Sequence, residues 1–232
     1  MTYADFRTAI IALEQPERAQ FVSAYFKTHP GQYGEGDVFL GLTMPQQREL
    51  ARSFVSLPLA ETEKLLHDAY HECRMTGLLI WTLQAKKNGS MARQTIADRY
   101  VANRRYVNNW DLVDCSCPTL LGLPLLTGDR SLLYDLADED HLWSQRIAIV
   151  TTWQFIRQNQ FGDTFALAEK LFSHKHDLIH KAIGWMLREI GKRDRMALDE
   201  FLHDHIRELP RTALRYAIER HEPAERQHFM TL

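Results

Sequence analysis

The sequence predicts an all-α fold, an α-solenoid of stacked helix pairs. Three observations predict it. Apolar residues recur at helical spacing. Helix stop and start signals are frequent while hairpin signals are absent. A repeat of about 35 residues runs along the chain.

The helical period is clearest in 181–192. There Ile183, Met186, Leu187 and Ile190 recur at three- and four-residue steps and make one apolar stripe. The punctuation comes at Leu57-Pro58, Asn88-Gly89-Ser90, Cys117-Pro118, Thr127-Gly128-Asp129, Gly162-Asp163 and Leu209-Pro210. No two-residue turn of the hairpin type separates alternating runs.

The repeat appears when four similar segments are aligned on Arg74, Arg146, Lys181 and Arg211. Successive gaps are 72, 35 and 30 residues, and Trp110 falls at the midpoint of the first. One step accommodates two helices and two turns, the unit of a solenoid. The chain is therefore expected to form one domain over residues 1–232. Tyr33-Gly34-Glu35-Gly36-Asp37-Val38 interrupts the pattern as an irregular, glycine-rich connection.

Composition limits the partners. Of 232 residues, 45% are apolar and 25% charged, enough for a sizeable core with a solvated surface. No apolar run approaches the ~20 residues of a membrane-spanning helix, so no membrane partner is expected. Residues 1–14 do not read as a signal peptide, because Asp5 interrupts short apolar stretches. Three cysteines, Cys73, Cys115 and Cys117, suit a reducing cytoplasm better than a disulfide framework. The net charge of −2 argues against indiscriminate nucleic-acid coating. From Leu142 onward, however, basic residues outnumber acidic ones, so any DNA-facing charge should lean C-terminal.

Registering the repeats places particular residues together. A ladder position and the residue four later share a helix face. The pairs are Arg74 with Leu78, Trp110 with Asp114, Arg146 with Val150, and Lys181 with Trp185; Arg188 joins the last. In 181–192 this face lies opposite the apolar stripe. Stacking is thus expected to bring Trp110, Asp114, Arg146, Lys181, Trp185 and Arg188 to one concave wall outside the core. Taken singly, the tryptophans would read as core, Asp114 as a solvated carboxylate, and Arg146 and Arg188 as inter-repeat salt bridges.

Other chemistry is weakly signalled. His174, His176 and His180 lack a cysteine or carboxylate shell, so no metal is expected. Cys115-x-Cys117 has no second pair. Phosphate-loop, dinucleotide and hydrolase-elbow motifs are absent, and no cofactor is expected.

Three blocks in order, Asn109–Asp114, Trp143–Ala148 and His180–Glu189, resemble the DNA alkylation repair family, the AlkD-like DNA glycosylases with HEAT-like repeats. Tyr33–Gly41 is similar to that family's N-terminal part, and the likeness runs from about Tyr33 to Arg220. The resemblance implies hydrolysis of the N-glycosidic bond of cationic N3- and N7-alkylpurines in duplex DNA. It implies Asp114 as catalytic carboxylate, with Trp110 and Trp185 embracing the lesion's deoxyribose. It further implies Arg146 and Arg188 as DNA contacts and Tyr25 as an N-terminal aromatic contact. Lys181 shares their face and is expected to bind phosphate. The family is thought to act on the sugar without a tight base pocket.

These residue types suit the reaction. An alkylated purine already carries positive charge and leaves without a strong acid. A fixed carboxylate stabilises the oxocarbenium character left on the sugar, tryptophan faces favour nearby cations, and Arg and Lys fix register through phosphates. Two other readings compete: a non-catalytic helical-repeat protein that binds DNA structure, and a protein-interaction scaffold. A cytoplasmic monomer is expected in each case.

Overall fold

The structure is a computed structural model that describes residues 1–232. It is all-helical, with fifteen α-helices, three short 3-10 turns and no strand. The sole β-type pairing is an isolated bridge between Val38 and Tyr70. No helix is long and apolar enough to cross a membrane.

The chain divides into two compact units, Met1–Leu120 and Leu121–Leu232. The first holds α1 (Tyr3–Ile11), α2 (Pro16–Tyr25), α3 (Met44–Ser53), α4 (Leu59–Leu66), α5 (His71–Lys87), α6 (Ser90–Ala102) and α7 (Trp110–Leu120). The second holds α8 (Ser131–Asp138), α9 (Leu142–Thr151), α10 (Trp153–Ile156), α11 (Gly162–Leu171), α12 (Asp177–Gly191), α13 (Arg195–His205), α14 (Arg211–Ala217) and α15 (Pro223–Thr231).

Helix α5 is the centre of the first unit, with α3, α4, α6 and α7 against it. Neighbours on several sides explain why its buried residues include Glu72 and Arg74 beside Met75, Leu78, Ile80 and Trp81. Phe6, Ile10, Leu40, Leu42, Leu57 and Leu65 join Cys73 and Ile80 in one apolar cluster of this unit. Helix α12 plays the same part in the second unit, with α9, α11, α13 and α14 around it. Its stripe of Ile183, Met186, Leu187 and Ile190 is fully buried, as the spacing predicts.

Most of the punctuation marks real helix boundaries. Pro58 precedes α4, Gly89 precedes α6, Gly162 opens α11 and Pro210 precedes α14. Cys117-Pro118 differs: Pro118 lies inside α7, which continues to Leu120. The proline lacks an N–H and interrupts the helix's amide ladder in its last turn, where the helix is ending anyway.

Gly184 marks the closest approach in the second unit. A Cβ there would fall on the Ala213 carbonyl and the Tyr216 side chain of α14. The rigid obstacle is backbone, so Gly184→Ala is expected to destabilise by about 1–3 kcal/mol. Ala is otherwise about 1 kcal/mol better than Gly within a helix. A denaturant midpoint that rises in this variant would contradict the close approach.

Candidate nucleic-acid interface

The first unit organises its chemistry around the connection between α2 and α3. Past Tyr25 the backbone reverses, with Lys27 at φ 55° and Gly31, Gly36 and Gly41 at positive φ. Gly41 is required twice over: its φ is 87°, and a Cβ would strike the backbone of Gln15 and Ala19. The buried Glu72 of α5 ties down the end of this connection. Its Oε2 accepts from the Leu40 N–H at 2.9 Å, and its Oε1 accepts from those of Gly41 and Leu42 at 2.8 and 3.2 Å. The His71 N–H donates to the Val38 carbonyl at 2.8 Å.

Asp37 is the hub beneath. Its carboxylate accepts from His71 Nδ1 at 2.9 Å, from Arg74 Nη2, from Asn108 Nδ2 at 3.0 Å and from Asn109 Nδ2 at 3.4 Å. Burial opposes ionisation of Asp37. The His71 hydrogen bond and the Arg74 charge outweigh that and hold its carboxyl below the usual range. On its other side, His71 Nε2 donates to Asp111 Oδ2 at 2.9 Å. Burial lowers the His71 pKa, but Asp111 and Asp37 overcome it and raise the value to about 9. His71 is therefore an imidazolium, with both ring nitrogens donating.

This sets a pH dependence. A raised folded-state pKa stabilises fully below the free imidazole value of ~6.5, and the contribution disappears as pH rises through about 9. Unfolding free energy should fall by roughly 3 kcal/mol across that window. Urea titrations at pH 6 and pH 9.5 measure it, and equal stabilities at the two values would show that His71 is not held charged.

A column of rings rises from this base. His71 stacks on Phe39 with centroids 4.5 Å apart, Phe39 on Phe26 at 5.2 Å, and Phe26 on Trp110 at 5.3 Å. Tyr25, 59% exposed, meets the Trp110 ring edgewise at 6.3 Å. Trp110 is thus fixed from its backbone as well, where its N–H donates to Asn109 Oδ1 at 2.9 Å. The structure brings Tyr25 and Trp110 together.

Asp114 lies one turn beyond Trp110 on α7 and is half-buried. It lines a groove of about 440 Å³ with Arg48 and Arg52 of α3, Lys86 of α5, and Cys115. The three cations are exposed. The Cys115 thiol is pushed up to about 11, chiefly by burial and then by the Asp111 and Asp114 charges, so it is not a nucleophile near neutrality. Sequence reasoning missed Arg48, Arg52 and Lys86. Arg48 and Arg52 are four residues apart on one helix face, a local signal, but their placement beside Asp114 depends on how α3 and α7 flank α5.

In the second unit, the remaining site residues lie on or against α12. Lys181 Nζ pairs with Asp177 at 2.7 Å, Trp185 Nε1 donates to Glu189 at 3.1 Å, and Arg188 pairs with Glu219. All three side chains are half-buried, outside the apolar stripe. Arg146 departs from the expectation of a face outside the core. It is 5% exposed and donates from Nη1 to the Leu178 carbonyl of α12. Val150, Arg74 and Leu78 are buried too. The reason is the central position of α5 and the contact of α9 with α8, α10, α11 and α12, which leave little free face. His174, His176 and His180 are spent on local bonds at the start of α12. His174 Nδ1 accepts from the His176 N–H, His176 Nδ1 accepts from the Leu178 N–H, and His180 Nε2 bonds the His174 carbonyl.

The all-helical fold thus sets exposed Tyr25 against half-buried Trp110, one turn from a carboxylate in a groove with three basic residues. The family model described as DNA alkylation repair enzyme matches residues 6–221, and the chain belongs to that family. Membership supports a role in DNA repair. No curated protein matches. Among solved structures, a protein described as a predicted DNA alkylation repair enzyme from Enterococcus faecalis shares the fold, with a TM-score of 0.71. The two are 18% identical, over 90% of this chain and 97% of that one.

Proposed function

We propose that the protein is a DNA glycosylase that hydrolyses the N-glycosidic bond of cationic N3- and N7-alkylpurines in duplex DNA. The observation that carries this reading is Asp114, a carboxylate set in a groove with Arg48, Arg52 and Lys86, one turn from the ring-braced Trp110. Cations of the groove wall suit backbone phosphates. The carboxylate among them suits a sugar that becomes positive as the base departs. The C1′–N bond breaks with its electron pair going to the purine, which leaves neutral. Water adds its oxygen to C1′, and its proton passes to Asp114 or solvent.

On the second unit the resemblance assigns Trp185 to the deoxyribose and Arg146 and Arg188 to the DNA backbone, with Lys181 on the same helix. The buried Arg146 is suited to positioning more than to a long-range reach for phosphate, because its guanidinium already bonds the Leu178 carbonyl. Release of 7-methylguanine from methylated duplex DNA tests the proposal. Release should be time-dependent and enzyme-proportional, and duplex binding should weaken steeply between low and physiological salt as counterions are regained. Salt-sensitive binding with no release would favour the non-catalytic DNA-binding reading. Absence of binding at low salt would remove both.

A further inference from the structure

The second unit holds a groove of about 550 Å³ beside the ends of α10 and α12. Arg157, Lys192 and Arg193 line it, all exposed, together with Trp153, Asn159 and Glu189. Three cations thus stand against one carboxylate. Lys192 caps the C-terminus of α12, an end that favours cations, but a helix end is worth only about half a charge. The groove is net positive.

The two arginines are oriented by neutral partners. The Arg157 guanidinium lies over the Trp153 ring, 5.0 Å from its centroid, and pairs with no carboxylate. Stacking holds its plane and leaves its N–H edge free for an anion. Arg193 Nη1 donates to Asn159 Oδ1 at 3.3 Å, which fixes the guanidinium without neutralising it. Elsewhere in this unit Arg130, Arg188 and Arg195 pair with Asp163, Glu219 and Asp199. Lys192 Nζ bonds Glu189 Oε1, the same oxygen that accepts from Trp185 Nε1. The groove and Trp185 therefore meet at one atom.

We propose that this groove binds the phosphodiester backbone of duplex DNA, with Arg157, Lys192 and Arg193 each meeting a phosphate. The occupant follows from continuity. A strand whose sugar rests on Trp185 carries its neighbouring phosphates past Glu189, and the next cations available to them are these three. Exposed cations held in register suit phosphates, which position a duplex without reading its sequence. The proposal rests on the DNA-directed reading of the protein but not on base excision at Asp114.

Fluorescence anisotropy of the full chain with a labelled duplex, over a series of salt concentrations, tests it. Replacing Arg157, Lys192 and Arg193 together by Ala should weaken binding to every sequence alike. The slope of log K against log salt should become shallower by roughly 2–3, at ~0.9 for each phosphate lost. All three residues are exposed, so the melting temperature should stay near the parent's. The charge-preserving variant Arg157→Lys, Lys192→Arg, Arg193→Lys should keep the parental slope. Arg207→Ala with Arg226→Ala, which removes exposed cations that do not line the groove, is the control and should keep it too. A parental slope in the triple Ala variant, or an equal fall in the control, overturns the proposal while DNA binding by the parent stands. A parent that binds no duplex at low salt overturns the DNA-directed reading and this groove's partner with it.

Discussion

Asp114→Asn is expected to lower alkylpurine release by a factor of a few hundred while duplex binding and thermal stability stay near the parent values. Asn keeps the size and hydrogen-bonding reach of Asp and removes its charge. A preorganised charge aimed at a developing cation is worth ~3–4 kcal/mol, which gives that factor. The surroundings of Asp114 sharpen the expectation. Arg48, Arg52 and Lys86 share its groove, so loss of the carboxylate makes the site more positive and should not weaken its hold on phosphates. A purely structural Asp114 gives the opposite pattern, a lower melting temperature with undiminished release. Single-turnover release together with a melting curve separates the two, and release at the parental rate would falsify the catalytic role.

Much of the architecture was legible because repetition is a one-dimensional signal. The ladder residues Arg74, Trp110, Arg146, Lys181 and Arg211 fall on α5, α7, α9, α12 and α14. The intervening α6, α8, α11 and α13 complete the alternation. What repetition does not report is how many neighbours each helix acquires. Periodicity places Lys181 and Trp185 off the buried stripe of α12, where both are half-buried. The same phase applied to Arg74 and Arg146 fails, because α5 and α9 are flanked on more than one side and bury them. The glycine-rich connection read only as irregular. Its order comes from Glu72 and from pairings between Asp37 and residues as far away as Asn109, 72 positions on, and no local pattern encodes these. Tyr25 reached Trp110 through the same connection, so its placement was accessible by resemblance and not by spacing.

The largest loss of stability in the first unit is expected from Asp37→Ala. The side chain is 2% exposed and accepts four hydrogen bonds, two of them from cations. Its removal leaves the Arg74 guanidinium without its carboxylate and the His71 imidazolium with Asp111 alone. Breaking a buried ion pair from one side typically costs ~3–5 kcal/mol, because the remaining charge stays desolvated. In a chain of this size that lowers the melting temperature by roughly 10 °C. Asp37→Asn keeps the shape and two acceptor lone pairs and should lose less. The pH dependence should change as well. With one carboxylate gone, the His71 pKa falls toward the free imidazole value, so the decline of stability above pH ~6.5 becomes shallower. Phe39 and Phe26 rest on His71 in the column that ends at Trp110, so Trp110 should gain mobility and release should fall along with stability. A variant that melts with the parent would show that Asp37 does not anchor the connection, and the bracing of Trp110 would then have to come from Phe26 and Asn109 alone.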